Sequence, residues 1–288
     1  MSEIQEVLSV RQKNLVAEVK ELSKNKFFAM RSLSYCLGFI GASVERLNSH
    51  VSVEELSLSL SSENHLPSEW IVNKSSDLIP KDFETYDLIT NYSAATRMVN
   101  YLRSQLFIAL MMELEDYLNQ LLKIVLLAHP ERLQSEHFNF EQVVMLENAE
   151  NFISEKVDKK IREKQYGRPR QFFNFVKSSL DVDGSLEAIL DERGINDPAT
   201  RKLETEKLSL EGLFPKYLEM KSRRDVGVHA GWIRNDLYDE RIAKLDITNS
   251  QEVFLGVSSD YFKEATDVAI DMVAKCNMFC ELGFTNAD

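Results

Sequence analysis

The chain contains 288 residues, 44% of them hydrophobic and 28% charged, which is the composition of a globular protein with one large core or two smaller ones. Ten glycines and six prolines are few for this length, so the composition favours helices over strands joined by tight turns. A net charge of −12 argues against a general nucleic-acid-binding surface, because phosphate contacts dominate such binding, but it does not exclude a local site.

The N-terminal part of the chain is predicted to be helical. Apolar residues recur at helical spacing from about residue 4 to residue 44, with charges between them and no proline. A serine-rich stretch at 49–62, followed by Pro67 and Pro80, predicts a long irregular connection. We place a soft boundary here, so that residues 1–90 form an N-terminal helical region and residues 91–288 form a second helical domain.

The clearest predicted helix spans residues 94–128. Its apolar stripe is wide, which is typical of the central helix of a bundle. His129 is followed by Pro130, and the residue before a proline avoids the helical conformation, so the helix should end there. A further helix is predicted for 140–162, and the Arg-Pro-Arg sequence at 168–170 separates it from the next one.

The C-terminal part is also mainly helical. Residues 202–229 are predicted to contain a helix that carries the motif described below, and Pro215 is a position at which it could bend. Alternating apolar residues at 241–257 predict a short β-hairpin or an extended insertion. Ser258 is predicted to cap the last helix, which carries apolar residues along one face. The sequence therefore predicts an all-α fold, a bundle of mostly antiparallel helices with this one insertion.

The cysteines and the apolar segments indicate in which cellular compartment the protein is expected. The three cysteines are an odd number and form no disulfide framework, which favours a reducing compartment. Cys276 and Cys280 share a helix face and are expected to pack in the core, since no second ligand pair accompanies them. The first residues lack the apolar core of a signal peptide, and the most apolar run, 106–112, is too short for a membrane span. We expect a cytoplasmic protein with no membrane partner.

The most informative stretch is residues 223–233, Arg-Arg-Asp-Val-Gly-Val-His-Ala-Gly-Trp-Ile. Between Arg224 and His229 it supplies a permanent cation, the carboxylate of Asp225 and a titratable imidazole. Together these groups can hold a phosphodiester and move protons near neutral pH without a metal. Gly231 offers a stop for the helix.

The spacing within this stretch limits which side chains can meet. On a straight helix Arg224 and His229 lie about 140° apart, so they would not converge on one substrate atom. They could converge if the helix unwinds near Gly227, or if two chains each contribute a motif. Asp225 and His229 are four residues apart and share a face, so the carboxylate could orient the imidazole.

This stretch resembles the Arg-polar-x-x-x-His signature of the HEPN superfamily, helical domains found in many prokaryotic RNases and toxins. The residues that carry the resemblance are Arg224, Asp225, His229, Gly231, Ile233 and Tyr238. The resemblance implies a homodimer in which both motifs face a shared cleft, with the arginine of one subunit assisting the histidine of the other. It also implies a toxin or antiviral-defence setting, in which an antitoxin or regulatory protein would be a partner.

The resemblance further implies a polar or acidic residue on the helix that faces the motif. Glu115 or Glu113 would fill this place, and Tyr238 would support the site. The alternative for the two glutamates is a solvated helical face.

The chemistry that suits the motif is transesterification of RNA, in which the ribose 2′-OH attacks the adjacent phosphate. The candidate catalytic residues are Arg224, Asp225 and His229. His229 would transfer a proton, and Arg224 would stabilise the charge that grows on the phosphorane. No metal or cofactor is expected, because the chain has no His-Glu-x-x-His sequence and no glycine-rich phosphate loop.

Basic charge is concentrated in two segments. Residues 156–170 contain seven lysines and arginines against two acidic residues, and residues 216–224 contain four against one. The candidate RNA-binding side chains in these segments are Lys159, Lys160, Arg162, Lys221 and Arg223. With the aromatic residues nearby, the first segment could contact an RNA backbone and stack bases, or it could be a solvated helix end beside core aromatics.

Two other hypotheses remain open on the sequence. The domain could be a non-catalytic module that binds RNA or a partner protein through the same cleft, which the net acidity and the single histidine of the motif favour. It could also be a helical scaffold, with Arg223 and Arg224 in salt bridges and His229 near a helix C-terminus, where a cation is favoured.

Overall fold

A computed structural model of the chain describes residues 3–50, 94–133, 143, 148–243, 245 and 253–284. Within these residues the fold is all-α, as predicted, with nine α-helices and no β-strand. In chain order the helices are α1 (Glu3–His50), α2 (Ala94–Ala128), α3 (Ala149–Gln165), α4 (Pro169–Ser179), α5 (Val182–Glu192), α6 (Pro198–Leu208), α7 (Phe214–Ala230), α8 (Asp236–Ile242) and α9 (Ser259–Phe284). Short 3₁₀ helices lie at Pro130–Leu133 and Glu211–Leu213.

The bundle is built around α2, which packs against α1, α3, α4, α7 and α9. Its buried apolar side chains include Phe107, Leu110, Met111, Leu114, Leu118, Leu121, Leu122, Val125 and Leu126. Because neighbouring helices cover α2 on several sides, its apolar stripe is wider than that of a surface helix. The predicted bounds and central position of this helix are confirmed.

Helix α1 lies along α2 and α9 and shares their core. Leu15, Val19 and Met30 are fully buried, and Ser23 Oγ lies 3.2 Å from the hydroxyl of Tyr117. The helix predicted from residue 4 to residue 44 is therefore confirmed and is slightly longer. The predicted irregular connection and the soft boundary near residue 90 lie in 51–93, outside the described residues.

Prolines mark helix boundaries much as expected. Helix α2 ends at Ala128, before His129 and Pro130, and α4 begins at Pro169 after α3 has ended. Helix α3 begins at Ala149. Of the earlier part of the helix predicted from residue 140, residues 140–142 and 144–147 lie outside the described residues.

The motif helix predicted within residues 202–229 is confirmed, but it does not bend at Pro215. Helix α6 ends at Leu208 and α7 begins at Phe214, so Pro215 lies in the first turn of α7 and not at a bend. Proline is tolerated there because its missing N–H would have no partner in the first turn. Leu210, between the two helices, is buried in the core, so the apolar pattern continued through the gap and concealed it.

The insertion predicted at 241–257 differs in part from the structure. Residues 241–242 close α8, and Phe254 forms an isolated antiparallel bridge with Ile233. The N–H of Leu255 donates to Trp232 O at 2.8 Å, and the N–H of Arg234 donates to Val253 O at 2.9 Å. The described part of the insertion thus pairs with the chain that follows α7. Residues 244 and 246–252 lie outside the described residues.

The last helix, α9, agrees with its prediction. Ser258 Oγ accepts a hydrogen bond from Tyr261 N at 3.0 Å, which is the expected N-terminal cap. The buried residues of its predicted face are Phe262, Ala265, Ala269, Met272, Val273, Cys276 and Phe279. Cys276 and Cys280 are core residues, as predicted, and burial raises the pKa of Cys276 to about 12. None of the described helices combines the length and apolarity needed to cross a bilayer.

A smaller apolar cluster holds the end of α7 in place. Val226 of α7 packs with Tyr238 and Ile242 of α8 and with Leu255 of the segment after it. These contacts join three pieces of chain around the motif, so the cluster fixes where the motif side chains point.

Candidate functional site

The motif lies in the last two turns of α7. The helix is continuous from Phe214 to Ala230, so the proposed unwinding near Gly227 does not occur. Gly231 ends the helix in the left-handed conformation, with φ of 58°, as its position predicted. Trp232 follows with φ of 68°, which is unfavourable for a residue with a Cβ and is maintained by its surroundings.

Gly227 has a packing role instead. A Cβ at this position would lie 2.6 Å from the indole ring of Trp232, which packs against the helix backbone there. Trp232 in turn lies against Phe107 of α2, with ring centroids 6.2 Å apart. The glycine therefore lets the chain fold back over the end of α7.

We expect Gly227→Ala to destabilise the protein by about 1–3 kcal/mol, because the ring of Trp232 must move. The effect would be measured as a change in the free energy of unfolding in urea. Gly38→Ala is the matched control, since Gly38 lies in α1 and its Cβ would meet no atom within 4 Å. This control should stabilise the protein by up to about 1 kcal/mol through helix propensity. Equal effects of the two substitutions would contradict the packing role.

A cavity of about 550 Å³, which we call the motif cavity, lies beside the end of α7. Helix α7 contributes six residues to it, and α2, α8 and the turn between α3 and α4 contribute the rest. Its lining residues are Glu115, Gln165, Tyr166, Gly167, Pro169, Lys221, Ser222, Arg224, Asp225, Val226, His229, Asn235, Leu237, Tyr238 and Arg241.

Glu115 connects α2 to the motif. Its Oε1 accepts hydrogen bonds from Arg224 Nη2 at 2.8 Å and from Lys221 Nζ. Glu113 points elsewhere and receives Lys26 Nζ of α1 at 2.6 Å. Of the two candidate carboxylates, Glu115 is therefore the one that faces the motif.

Asp225 is held by two guanidinium groups. Its Oδ2 accepts a hydrogen bond from Arg241 Nη1 at 2.7 Å, and its Oδ1 lies 3.2 Å from Arg224 Nε. The expected contact of Asp225 with His229 is not formed, and the described partners of this carboxylate are the two arginines. His229 is exposed at the cavity, and no described residue hydrogen-bonds its imidazole.

Arg223 lies outside the motif cavity, although we expected it to bind substrate. Its Nε donates to Glu219 Oε1 at 2.7 Å, its Nη1 donates to Gly256 O at 2.9 Å, and its guanidinium lies over the ring of Tyr261. Burial opposes the charge of Arg223, yet Tyr261 and Glu219 together raise its pKa above the ordinary value. Arg223 is therefore a largely buried cation, with 11% of its side chain exposed, that holds α7 to its neighbours.

The carboxylate of Glu219 is the centre of this arrangement, which we call the Glu219 network. Glu219 is only 2% exposed and also accepts hydrogen bonds from the hydroxyls of Tyr238 and Tyr261. Burial, with the negative charge of Glu219, raises the pKa of both tyrosines, so both remain donors. The hydrogen bond from the Tyr238 hydroxyl to Glu219 thus holds α8 against the motif helix.

The first basic segment reaches the cavity only at its end. Lys159, Lys160 and Arg162 do not line it. The turn that follows α3 does, and there Tyr166 is 86% exposed. An exposed aromatic ring beside a cationic cavity is a suitable surface for stacking a base.

Arg241 is the main cavity residue that the sequence analysis missed. It lies in α8, one turn beyond Tyr238, and pairs with the motif carboxylate of Asp225. Asn235 caps this short helix by accepting a hydrogen bond from Tyr238 N at 3.0 Å. The Asn-Asp pair at 235–236 is a helix-start signal that could have placed Arg241 on the same face as Tyr238.

The electrostatics of the motif cavity differ from those of the whole chain. Its described lining includes three cations, Lys221, Arg224 and Arg241, and two carboxylates. Below it, the buried atoms Ser222 Oγ, Tyr217 Oη and Arg224 Nε have no hydrogen-bond partner among the described residues. Unpaired buried polar atoms are uncommon, and an ordered water or a bound ligand could supply the missing partners.

In the part of the chain that the structure describes, no three His, Cys, Asp or Glu side chains are grouped as metal ligands. No protein-family model matches the chain, and no curated protein or solved structure matches it significantly. A proposal about function therefore has to rest on the sequence motif and on the structure itself.

Proposed function

We propose that this protein is a metal-independent endoribonuclease of the HEPN kind that cleaves RNA in the motif cavity. One observation supports this more than any other: Arg224 and His229 line the same open cavity. The cavity also gathers positive charge in a chain whose net charge is −12. A cationic cavity with an accessible imidazole is suited to a phosphodiester.

The reaction would proceed by attack of the ribose 2′-oxygen on the adjacent phosphorus. The 2′-O–P bond forms, the P–O5′ bond breaks, and the products carry a 2′,3′-cyclic phosphate and a 5′-hydroxyl. His229 would take the 2′ proton or deliver a proton to the departing 5′-oxygen. Arg224 would stabilise the negative charge that grows on the phosphoryl oxygens.

The neighbouring charges would hold and tune these groups. Glu115 accepts hydrogen bonds from both Arg224 and Lys221, so one carboxylate orients two cations. The three groups together keep a net positive charge. Arg241 would add a phosphate contact at the other side of Asp225. Tyr166 would stack a base next to the cleaved bond.

We further propose that the active form is a homodimer. Four apolar side chains on or near the motif helix are more than half exposed, namely Met112, Val228, Ile233 and Leu237. Val228 lies on the motif helix, Ile233 and Leu237 follow it along the chain, and Met112 lies on α2. Large exposed apolar side chains of this kind are what a dimer interface would cover. Among the described lining residues of the motif cavity, His229 is the only histidine, whereas the reaction needs one proton removed and another delivered. A second chain would supply the other group.

The non-catalytic alternative is favoured by a different observation. Arg224 and Asp225 are already engaged in ion pairs, and no described residue orients His229. A module of this kind would bind RNA through the same cations without cutting it. The toxin or antiviral-defence setting, with an antitoxin or regulatory protein that restrains the activity, is proposed from the HEPN resemblance alone.

The test is to incubate the purified protein with single-stranded RNA in excess EDTA. We expect cleavage products with 2′,3′-cyclic phosphate and 5′-hydroxyl ends, and no cleavage at a position where the nucleotide is 2′-deoxy, because the nucleophile is then missing. Saturable binding without cleavage would favour the non-catalytic module. Cleavage that EDTA abolishes, or that persists at the 2′-deoxy position, would overturn the proposed reaction.

A further inference from the structure

A second cavity, of about 850 Å³, lies at the N-terminal part of α2 and shares no lining residue with the motif cavity. We call it the tryptophan cavity. The end of α7 and the segment before α9 form its other walls. Its lining residues are Asn100, Tyr101, Arg103, Ser104, Gln105, Gly227, Gly231, Trp232, Phe254, Gly256, Val257 and Ser258.

Two aromatic rings in this cavity lie directly against glycines. A Cβ on Gly227 would be 2.6 Å from the ring of Trp232, and a Cβ on Gly256 would be 2.7 Å from the ring of Phe254. Phe254 nevertheless keeps 60% of its surface exposed, and Tyr101 beside it keeps 64%. The cavity therefore presents aromatic surface to solvent, which is suited to a planar ring.

Arg103 supplies a cation to which no described residue offers a carboxylate. Its Nη1 donates to Asn100 Oδ1 at 3.1 Å and to Val257 O at 3.3 Å, while its buried Nε has no hydrogen-bond partner among the described residues. Burial lowers the pKa of Arg103. None of the described lining residues is acidic, although the chain has 46 aspartates and glutamates. A partly buried cation without a counter-charge favours an anionic ligand.

We propose that the tryptophan cavity binds a nucleotide, with its phosphate on the guanidinium of Arg103 and its base against Trp232 and Phe254. A nucleotide combines the planar ring and the anion that these side chains favour. Asn100 and Gln105, both exposed at the cavity, offer amides for hydrogen bonds to the edge of the base. The ligand is either a free nucleotide or an unpaired nucleotide of an RNA strand. This proposal does not depend on RNA cleavage in the motif cavity.

The experiment uses tryptophan fluorescence of the full chain. The chain has two tryptophans, so Trp70→Phe leaves Trp232 as the only reporter. We expect AMP to quench its emission saturably, whereas adenosine and inorganic phosphate each bind at least about tenfold more weakly. Arg103→Met should weaken AMP binding about tenfold and leave adenosine binding unchanged, because it removes only the phosphate contact.

Further variants localise the site. Phe254→Ala changes an exposed side chain, so it should fold normally and weaken both AMP and adenosine. Arg31→Met and Phe28→Ala are matched controls on α1, away from the cavity, and should bind AMP as the parent does. Binding of a short single-stranded RNA, measured with the His229→Ala protein to prevent cleavage, shows whether the bound nucleotide is free or part of a strand. Tighter binding of the RNA than of AMP indicates a strand, and the reverse indicates a free nucleotide.

The proposal is overturned if neither AMP nor the RNA quenches Trp232 saturably. It is also overturned if Arg103→Met and Phe254→Ala both bind AMP with the affinity of the parent protein. Because binding is measured directly, either result leaves the cleavage proposal for the motif cavity unaffected.

Discussion

Replacing His229 with alanine is expected to lower the rate of RNA cleavage by about 10²–10⁴-fold, because the imidazole is the group placed to transfer a proton. The side chain is exposed and makes no hydrogen bond to a described residue, so the free energy of unfolding should change by no more than about 0.5 kcal/mol. The measurement is the initial rate on a labelled single-stranded RNA in EDTA, alongside the melting temperature of the same sample.

Two further variants distinguish the motif from a general effect. His129→Ala removes a histidine that stacks on Phe284, far along the chain from the motif, and should leave the cleavage rate unchanged. Arg224→Ala should lower the rate by about 10²–10³-fold, as the loss of one transition-state donor does elsewhere. If the His229→Ala protein cleaves RNA at the parental rate, the assignment of the catalytic histidine is wrong.

Replacing Glu219 with alanine is expected to lower the free energy of unfolding by about 3–5 kcal/mol, which corresponds to a fall in Tm of about 10 °C. The reason is that Arg223 would remain buried without its counter-charge, and the hydroxyls of Tyr238 and Tyr261 would lose their acceptor. Urea unfolding monitored by far-UV circular dichroism would measure the change.

Glu113→Ala is the matched control for this effect. Its carboxylate is about one-third exposed, and its partner Lys26 keeps a second ion pair with Asp116, so the loss should be at most about 1 kcal/mol. Glu219→Gln keeps a hydrogen-bond acceptor but removes the charge. Its loss in free energy of unfolding should lie between the losses of the two alanine variants. Equal effects of Glu219→Ala and Glu113→Ala would show that the Glu219 network is not what fastens the motif helix.

The helices were predictable where the signal was local. Residues 94–128 were predicted with the bounds that the structure has, because one apolar period runs from start to finish and Pro130 follows it. The break between α6 and α7 was not, because Leu210 is buried in the gap and kept the period intact. An apolar period shows which residues are buried, not which are helical. It therefore does not reveal a helix end when the residues after that end also face the core.

The candidate site was likewise predictable only where the signal was local. The motif residues Arg224, Asp225 and His229 were found from the sequence, because their spacing along one helix is itself a local pattern. The roles of Arg223 and Arg241 were not, because adjacent positions on a helix face different neighbours. Arg223 faces Glu219 and the core, while Arg241 reaches the motif from another helix.

Composition, periodicity and proline positions thus decided that the described chain is an all-α bundle, and the short spacing from residue 224 to residue 229 singled out the motif. Packing decided which carboxylate of α2 meets Arg224, that Tyr166 and Arg241 join the motif cavity, and that a second cavity forms around Trp232. The physical reason is distance along the chain. Contacts between Glu115 and Arg224, more than a hundred residues apart, depend on how whole helices are rotated against each other, and no local pattern specifies that rotation.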